Sequence, residues 1–340
     1  MIETSDFLTE MPFDEGTTPG PSGTDVLSDI LRVFHVTGAA LLRTEFNAPW
    51  SCDNPPADAV ARLLHPGANR LIIFHIVAKG NCWVEIDGHE RRMLHEGDIV
   101  GLPHGHAHRM GNGEVAPVPI ASLFPSPPWT TLPVLTHGGS GELARVVCIY
   151  LRCDLLLFDP FLASLPNLLV VRRDPGSGGQ WIDVNRRYLV NAAIRGGPGA
   201  SCLMARLTEL LFIEMLRRYV AQLREEDVGW LAALKDRHTC RALTVLHSRP
   251  TEPWNVEMLA REVGLSRSAL VRRFDRLLAI SPMRYLTTWR LHLAAKVLRD
   301  DRVSIATTAR QSGYGSEEAF SRAFKRQFGS SPSAWRDQVL

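Results

Sequence analysis

Val256-Glu-Met-Leu-Ala-Arg-Glu-Val-Gly264-Leu-Ser-Arg-Ser-Ala-Leu-Val-Arg-Arg-Phe274 and Ile305-Ala-Thr-Thr-Ala-Arg-Gln-Ser-Gly313-Tyr-Gly-Ser-Glu-Glu-Ala-Phe-Ser-Arg-Ala-Phe324 are two copies of one unit. In the first copy Val256, Leu259, Ala260 and Val263 follow the i, i+3, i+4, i+7 spacing that gathers apolar side chains on one helix face. Gly264 suits a left-handed helix end, Leu265 can plug the core after the turn, and Ser266 can cap a second helix that buries Leu270, Phe274 and Leu277. Two short helices joined by a tight turn make a helix-turn-helix. The second copy is offset by 49 residues before the turn and 50 after it. Ser281-Pro282 recurs as Ser331-Pro332, in each case an N-cap followed by the proline that a first helical turn accepts. Pro282 to Arg299 carries Leu286, Trp289, Leu293 and Val297 on one stripe without a breaker, a rod of roughly 27 Å at 1.5 Å per residue. That length brings two recognition helices near the ~34 Å spacing of successive major-groove segments on one face of DNA.

Charge separates along the same line. The 340 residues sum to +2, but residues 241–340 hold 15 Arg and 2 Lys against 9 Asp and Glu, a net +8, and the remainder is −6. A basic end on an acidic body is the footprint of a chain of which one part touches a polyanion. Hydrophobic residues at 45% and charged residues at 22% exclude a disordered or fibrous chain. Met1-Ile-Glu-Thr-Ser-Asp lacks the basic and apolar regions of a signal peptide, and no apolar run is long enough to span a bilayer, so a soluble, cytoplasmic protein with no membrane partner is expected. Six cysteines form no CxxC pair, and reduced thiols are the default.

Residues 1–24 read as a loose lead-in rich in turn formers. Residues 25–175 read as a β-domain opened by a short helix at Asp25-Val-Leu-Ser-Asp-Ile-Leu. Its strands include Leu71-Ile-Ile-Phe-His-Ile-Val-Ala, Cys82-Trp-Val-Glu-Ile-Asp, Asp98-Ile-Val-Gly-Leu and Ala144 to Cys153, and Asp87-Gly88 is a hairpin-turn signal. Many short strands between tight turns imply an antiparallel sandwich or barrel. Residues 176–229 change to helical period, over 181–196 and 201–224. Apolar residues at 203, 207, 210, 211, 215 and 216 leave the second helix buried on more than one side, against the β-domain and a second subunit. Glu225 to Gly229 reads as a hinge, and 230–340 as the double helix-turn-helix domain. The fold class is α+β multidomain.

Leu293-Ala-Ala-Lys-Val-Leu and Gly313 to Arg336 resemble the signature of the AraC/XylS family of transcription regulators, over about residues 240–340. The resemblance implies double-stranded promoter DNA and RNA polymerase as partners, homodimers, and a sensor domain that responds to an effector. Thr308 and Ser312 depart from it, since the corresponding helix is usually apolar, and imply a less tightly packed second unit. Opposite the buried stripes, Ser268, Val271 and Arg272 in the first unit and Glu317, Glu318, Ser321 and Arg322 in the second can reach base edges. Arg272 or Arg322 would pair with guanine and Glu317 or Glu318 would accept from cytosine. Arg267, Arg273, Lys325 and Arg326 are placed for phosphates, which position without specifying.

Seven of the twelve histidines lie between His65 and His108. Gly97-Asp-Ile-Val-Gly-Leu-Pro103-His-Gly105-His-Ala-His108 is similar to the second cupin motif, and Phe74 to Trp83 to a degenerate first motif. The resemblance implies a cupin-like sensor barrel whose mouth, lined by His75, Trp83, His104, His106 and His108, takes the effector: a small molecule, a metal ion or an oxidant. Metal-binding cupins supply two His and a Glu from the first motif and one His from the second. Here His75 and His108 match, Val77 replaces the second His and no Glu follows, so the facial triad is incomplete. No cofactor is required, and a metal on His75 and His108 is the alternative. Cys82 beside basic imidazoles, with Cys148 and Cys153, forms a candidate redox set, since cationic neighbours favour a thiolate. The expected function is a sequence-specific, effector-modulated transcription regulator rather than an enzyme. The competing readings are a cupin metalloenzyme tethered to DNA and a ligand-independent DNA-binding protein.

Overall fold

The computed structural model describes residues 25–33, 36–64, 70–126, 133–153, 159–173, 184–185, 187–191, 197, 199–300 and 303–339. The lead-in at 1–24 and most of the helix expected over 181–196 lie outside them. No helix among the described residues is long and apolar enough to cross a membrane.

The N-terminal part is built on strands β1 (Val36–Asn47), β2 (Trp50–Asn54), β3 (Arg70–Lys79), β4 (Cys82–Glu85), β5 (Arg92–Leu94), β6 (Ile99–Leu102), β7 (His108–Asn112), β8 (Val118–Pro119), β9 (Val134–Gly138), β10 (Leu143–Cys153) and β11 (Leu169–Val171). They form two sheets, ordered β11-β6-β3-β10-β1-β9 and β5-β4-β7-β2-β8. The sheets face each other as an open sandwich, and the pairs β1·β9 and β2·β8 are parallel in an otherwise antiparallel arrangement. Asp87-Gly88 turns the chain between β4 and β5, with Gly88 at φ 78° and the His89 N–H donating to the Ile86 carbonyl at 2.9 Å.

The near-continuous apolar run of β3 has a physical reason, because both faces of its sheet are covered. Leu71, Ile73, His75 and Val77 point between the sheets. Ile72, Phe74 and Ile76 point the other way, into a core shared with helix. Such strands lose the polar alternation of a half-exposed sheet. The helices of this part are α1 (Val26–Val33), α2 (Ala57–Leu64), α3 (Asp159–Ala163) and α4 (Ala200–Gln222); α4 covers the outer face at β1, β10 and β11, α2 packs on β3 from the inner side, and α1 and α3 meet helices of the C-terminal part. On α4, Leu211, Phe212, Met215 and Leu216 are buried, with Phe212 edge-on to Phe74 at 5.9 Å, while Leu203 and Leu210 stay 45% and 43% exposed.

The C-terminal part is α5 (Trp230–Ala233), α6 (Arg237–Ser248), α7 (Val256–Glu262), α8 (Arg267–Leu278), α9 (Pro282–Asp300), α10 (Ile305–Gln311), α11 (Glu317–Phe328) and α12 (Pro332–Val339). The ends of the segment 223–230 are held, while Glu225, Glu226 and Val228 between them are exposed. The Gly229 N–H donates to the Leu277 carbonyl at 2.8 Å, Lys235 Nζ bonds the Leu223 carbonyl, and Trp230 is 1% exposed against Phe161 of α3. The two helix-turn-helix units repeat in detail. Asn255 and Ser304 cap α7 and α10, and Ser266 and Ser316 cap α8 and α11. After Gly264 and Gly313, at φ 72° and 78°, the next residue's N–H returns to the Ala260 or Ala309 carbonyl. The looser second unit does not materialise. Thr308 and Ser312 are buried, and their hydroxyls donate to the Ser304 and Thr308 carbonyls at 3.1 and 2.7 Å, so neither lacks a partner.

The repeat also exposes a local strain. Gly329 ends α11 in the left-handed region at φ 78°, whereas its counterpart at the end of α8 is Ala279, at φ 52°. A Cβ there meets the following carbonyl, at a cost of about 1 kcal/mol or more. Ala279→Gly is therefore expected to stabilise the C-terminal part by about 1 kcal/mol, read as a higher urea midpoint in tryptophan fluorescence.

Candidate nucleic-acid interface and sensor site

Leu270, Phe274 and Leu277 on α8, and Phe320, Ala323 and Phe324 on α11, anchor the two second helices and turn their opposite faces outward. Ser268, Val271 and Arg272 are exposed on α8. Glu317, Glu318, Arg322, Lys325 and Arg326 are exposed on α11, with Ser321 half-buried. Arg272 and Arg322 have no carboxylate at ion-pair distance among the described residues. Arg267 is exposed but pairs with Glu257 at 3.0 Å. Arg273, expected at a phosphate, is instead held against the protein by Asp236, whose carboxylate also caps α6 through the Thr239 N–H. Glu318 is engaged as well: its own backbone N–H and the Ser316 hydroxyl hold its carboxyl below the usual range.

The single histidine-lined mouth expected from the sequence does not form; its five residues go to three places. His75 and His108 meet between the sheets, Nε2 to Nε2 at 2.8 Å. His104 and His106 reach sideways, to the Leu165 carbonyl at 2.9 Å and to Asn167 Oδ1 at 3.1 Å. Trp83 alternates away from Cys82 and Val84 onto the outer face of β4, where the Arg91 guanidinium lies 3.9 Å over its ring.

His75 Nδ1 lies 3.0 Å from Cys148 Sγ, and His108 Nδ1 lies 3.0 Å from the His106 carbonyl. These contacts assign every proton. A carbonyl only accepts, so His108 is protonated on Nδ1 and its Nε2 accepts from His75 Nε2–H. His75 Nδ1 then accepts from the Cys148 thiol. That chain ends on the His106 carbonyl; separately, the His106 ring bonds Asn167, whose Nδ2 donates to His89 Nε2 at 3.3 Å, and His89 Nδ1 donates to the Asp87 carbonyl at 3.2 Å. Cys148 stands directly opposite His75 in the β3·β10 register, a juxtaposition across 73 residues that no local sequence signal carries.

The Nε2 atoms of His75 and His108 face each other, and among the described residues no group of three or more His, Cys, Asp or Glu is placed to hold an ion. Nor do the imidazoles draw out a thiolate: burial pushes the Cys82 and Cys52 thiols up to about 12 and raises Cys148 further. The Cys153 side chain lies outside the described residues. Room between the sheets beside Phe46, Cys52 and Cys148 is about 10 Å³, no more than a single water needs. His108 borders a surface hollow of about 310 Å³, together with Asp53, Asn54, Arg109 and Ile120.

Burial lowers the pKa of both His75 and His108, the latter to about 4, against about 6.5 for an exposed imidazole. The unfolded chain therefore takes up these protons first. The stability held by neutral His108 is intact above about pH 6.5 and drains away as pH falls towards 4, by about 3 kcal/mol in all. In His108→Gln, whose amide offers one donor and one acceptor but does not titrate, unfolding midpoints measured from pH 7.5 to 4 should fall less steeply than in the parent.

A family model described as Cupin matches residues 25–221, and one described as Helix-turn-helix domain matches residues 259–338. The chain is 30% identical to the HTH-type transcriptional regulator AlkR of Acinetobacter baylyi, over 92% of this chain and 99% of that protein. A putative AraC-like transcription regulator of Streptomyces lividans is 32% identical over 79% of this chain and 88% of its own length. The DNA-binding domain of AdpA, solved with a target DNA, is 32% identical and covers 29% of this chain and 88% of that one, with a TM-score of 0.28. With both family models and a relative matched along its whole length, this chain belongs to the AraC family of DNA-binding transcription regulators that carry an N-terminal cupin domain.

Proposed function

We propose that the protein reads promoter DNA with both helix-turn-helix units, and that an effector held by its N-terminal domain changes its affinity for that DNA. The division is a sensor at 25–175, a helical dimerisation segment at 176–229 and a reader at 230–340. The observation that carries this reading is the pair of capped recognition helices, each with an exposed arginine, mounted on the ends of the 19-residue helix α9. Arg272 and Arg322 read base edges, with Ser268, Val271, Glu317 and Ser321 beside them. Lys325, Arg326 and Arg267 hold phosphates. The effector acts by binding two conformations with different affinity, since equal affinity would shift nothing. Among small molecules, metal ions and oxidants, a small molecule is the reading favoured by protonated thiols and mutually bonded imidazoles. Bound in the cytoplasm as a homodimer, the protein alters transcription through RNA polymerase.

Two experiments test this. On a fragment from upstream of its own gene, Arg272→Ala and Arg322→Ala should each weaken binding about tenfold and relax preference at one base position, whereas Arg326→Ala should weaken all sequences alike and reduce the salt slope by about 1. Undiminished, salt-insensitive binding in all three would refute the reading. Leu203 and Leu210, seven residues apart on the exposed side of α4, form the subunit contact. The double variant Leu203→Glu, Leu210→Glu should run as a monomer in light scattering where the parent runs as a dimer.

A further inference from the structure

Outside the sandwich, the edge strand β11, the β4–β5 hairpin and the C-terminal turns of α4 enclose a groove of about 1120 Å³. Sites for small organic ligands start at about 300 Å³, and the cavity beside Phe46, Cys52 and Cys148 is about a hundredth of this groove. Its floor is apolar, with Ile86, Leu169 and Met215 buried along it and Leu168 half-buried. Its walls carry three guanidiniums, those of Arg92, Arg172 and Arg218. Arg172 is pinned by Asp98 at 2.6 Å and by the Met93 carbonyl, through one nitrogen only. Asp98 is 3% exposed and also accepts from the His95 and Arg173 N–H groups, so its oxygens are turned away from the groove. Arg218 engages Glu214 through Nε at 3.1 Å. Arg92 has no carboxylate at ion-pair distance among the described residues. A guanidinium has five N–H donors and no acceptor, so the walls offer donors, with exposed Glu90 the one carboxylate among the lining residues. The far wall is fixed, because Asn167 is held by His106 on one side and His89 on the other.

We propose that this groove binds a small amphipathic molecule with one anionic head group, taken by Arg92 and Arg172, and an apolar body laid over Ile86, Leu168 and Met215. The proposal rests on the effector reading above and gives it a place. Such a ligand touches the β-domain and α4 together, and so fixes one against the other, which a molecule enclosed between the sheets would not do. Tyr219 and Gln222, on the α4 side, supply neutral polar contacts.

The test uses the full chain with two probes, 1-anilinonaphthalene-8-sulfonate and decanoate. The expected result is saturable fluorescence of the first, displaced by decanoate and at least about tenfold more weakly by uncharged decanol. Arg92→Gln and, independently, Gln222→Glu should each weaken both probes about tenfold. Arg109→Gln, at the hollow beside His108, should leave them unchanged. Both groove positions are exposed, and circular dichroism checks that the variants fold. Absence of saturable binding, wild-type affinity in both groove variants, or loss in Arg109→Gln would overturn the proposal. Gel shifts run in parallel without probe keep the two ideas apart: failure to bind DNA there refutes the regulator reading, while the probe titrations still judge the groove.

Discussion

The Tyr285 hydroxyl ties together Trp230 and His247, the two side chains through which the C-terminal part meets the N-terminal part. It accepts from Trp230 Nε1 at 2.9 Å and donates to His247 Nε2 at 2.7 Å. The remaining proton of His247 then lies on Nδ1, 3.6 Å from an Asp29 oxygen on α1. The His247 ring stacks on Trp289 at 4.0 Å, and Trp230 meets Phe161 of α3 edge-on at 5.5 Å. Helices α1 and α3 of the N-terminal part thus converge with α5 and α6 on α9, the helix that spaces the two recognition units. Burial holds both rings neutral, raising Tyr285 and lowering His247. In so dry a site a hydrogen bond left unmade costs about 1–3 kcal/mol, so the network favours one relative placement over a continuum of slightly different ones.

The six-stranded sheet is the second constraint, because it serves two cores. β3 carries His75 on the inner face and Phe74 on the face that packs against Phe212 of α4. Only one sheet's thickness therefore separates the sandwich interior from the helix leading to the DNA-binding units. The inner face must still satisfy polar side chains buried among apolar ones. It does so with a neutral chain of thiol and imidazoles, closed at its outer end on a backbone carbonyl. The same two histidine positions that match cupin metal ligands here satisfy each other.

What could be read in the sequence depended on how local its cause was. The helix-turn-helix repeat was legible because its caps, its glycines and its apolar faces all lie within about twenty residues of each other, and each signals its own geometry. The strands were legible as runs, but not their pairing. The parallel β1·β9 contact, and Cys148 opposite His75, arise from long-range register. Arg273 looked like a phosphate contact because its partner, Asp236, lies 37 residues away and before the repeat begins. Glu225 to Gly229 looked like a hinge from its polar residues and glycine, yet Trp230 beside it is the anchor. Trp83 was grouped with the histidines by proximity in sequence, and strand alternation sent it to the other face. The groove had no sequence signature because three separate segments supply it.

The energetics of coupling are modest enough for these parts to supply. Changing DNA occupancy about tenfold requires an effector to discriminate between two arrangements by about 1.4 kcal/mol. One hydrogen bond to a charged group is worth about 1.5–3 kcal/mol. A single such contact, made when α4 lies in one position and lost in the other, therefore suffices. No melting of the sandwich is needed. The contacts after α4 then decide what the shift can do: displacement of α4 is either absorbed before Trp230 or carried past it to α9, and the Lys235 bond to the Leu223 carbonyl, directly after α4, favours the second.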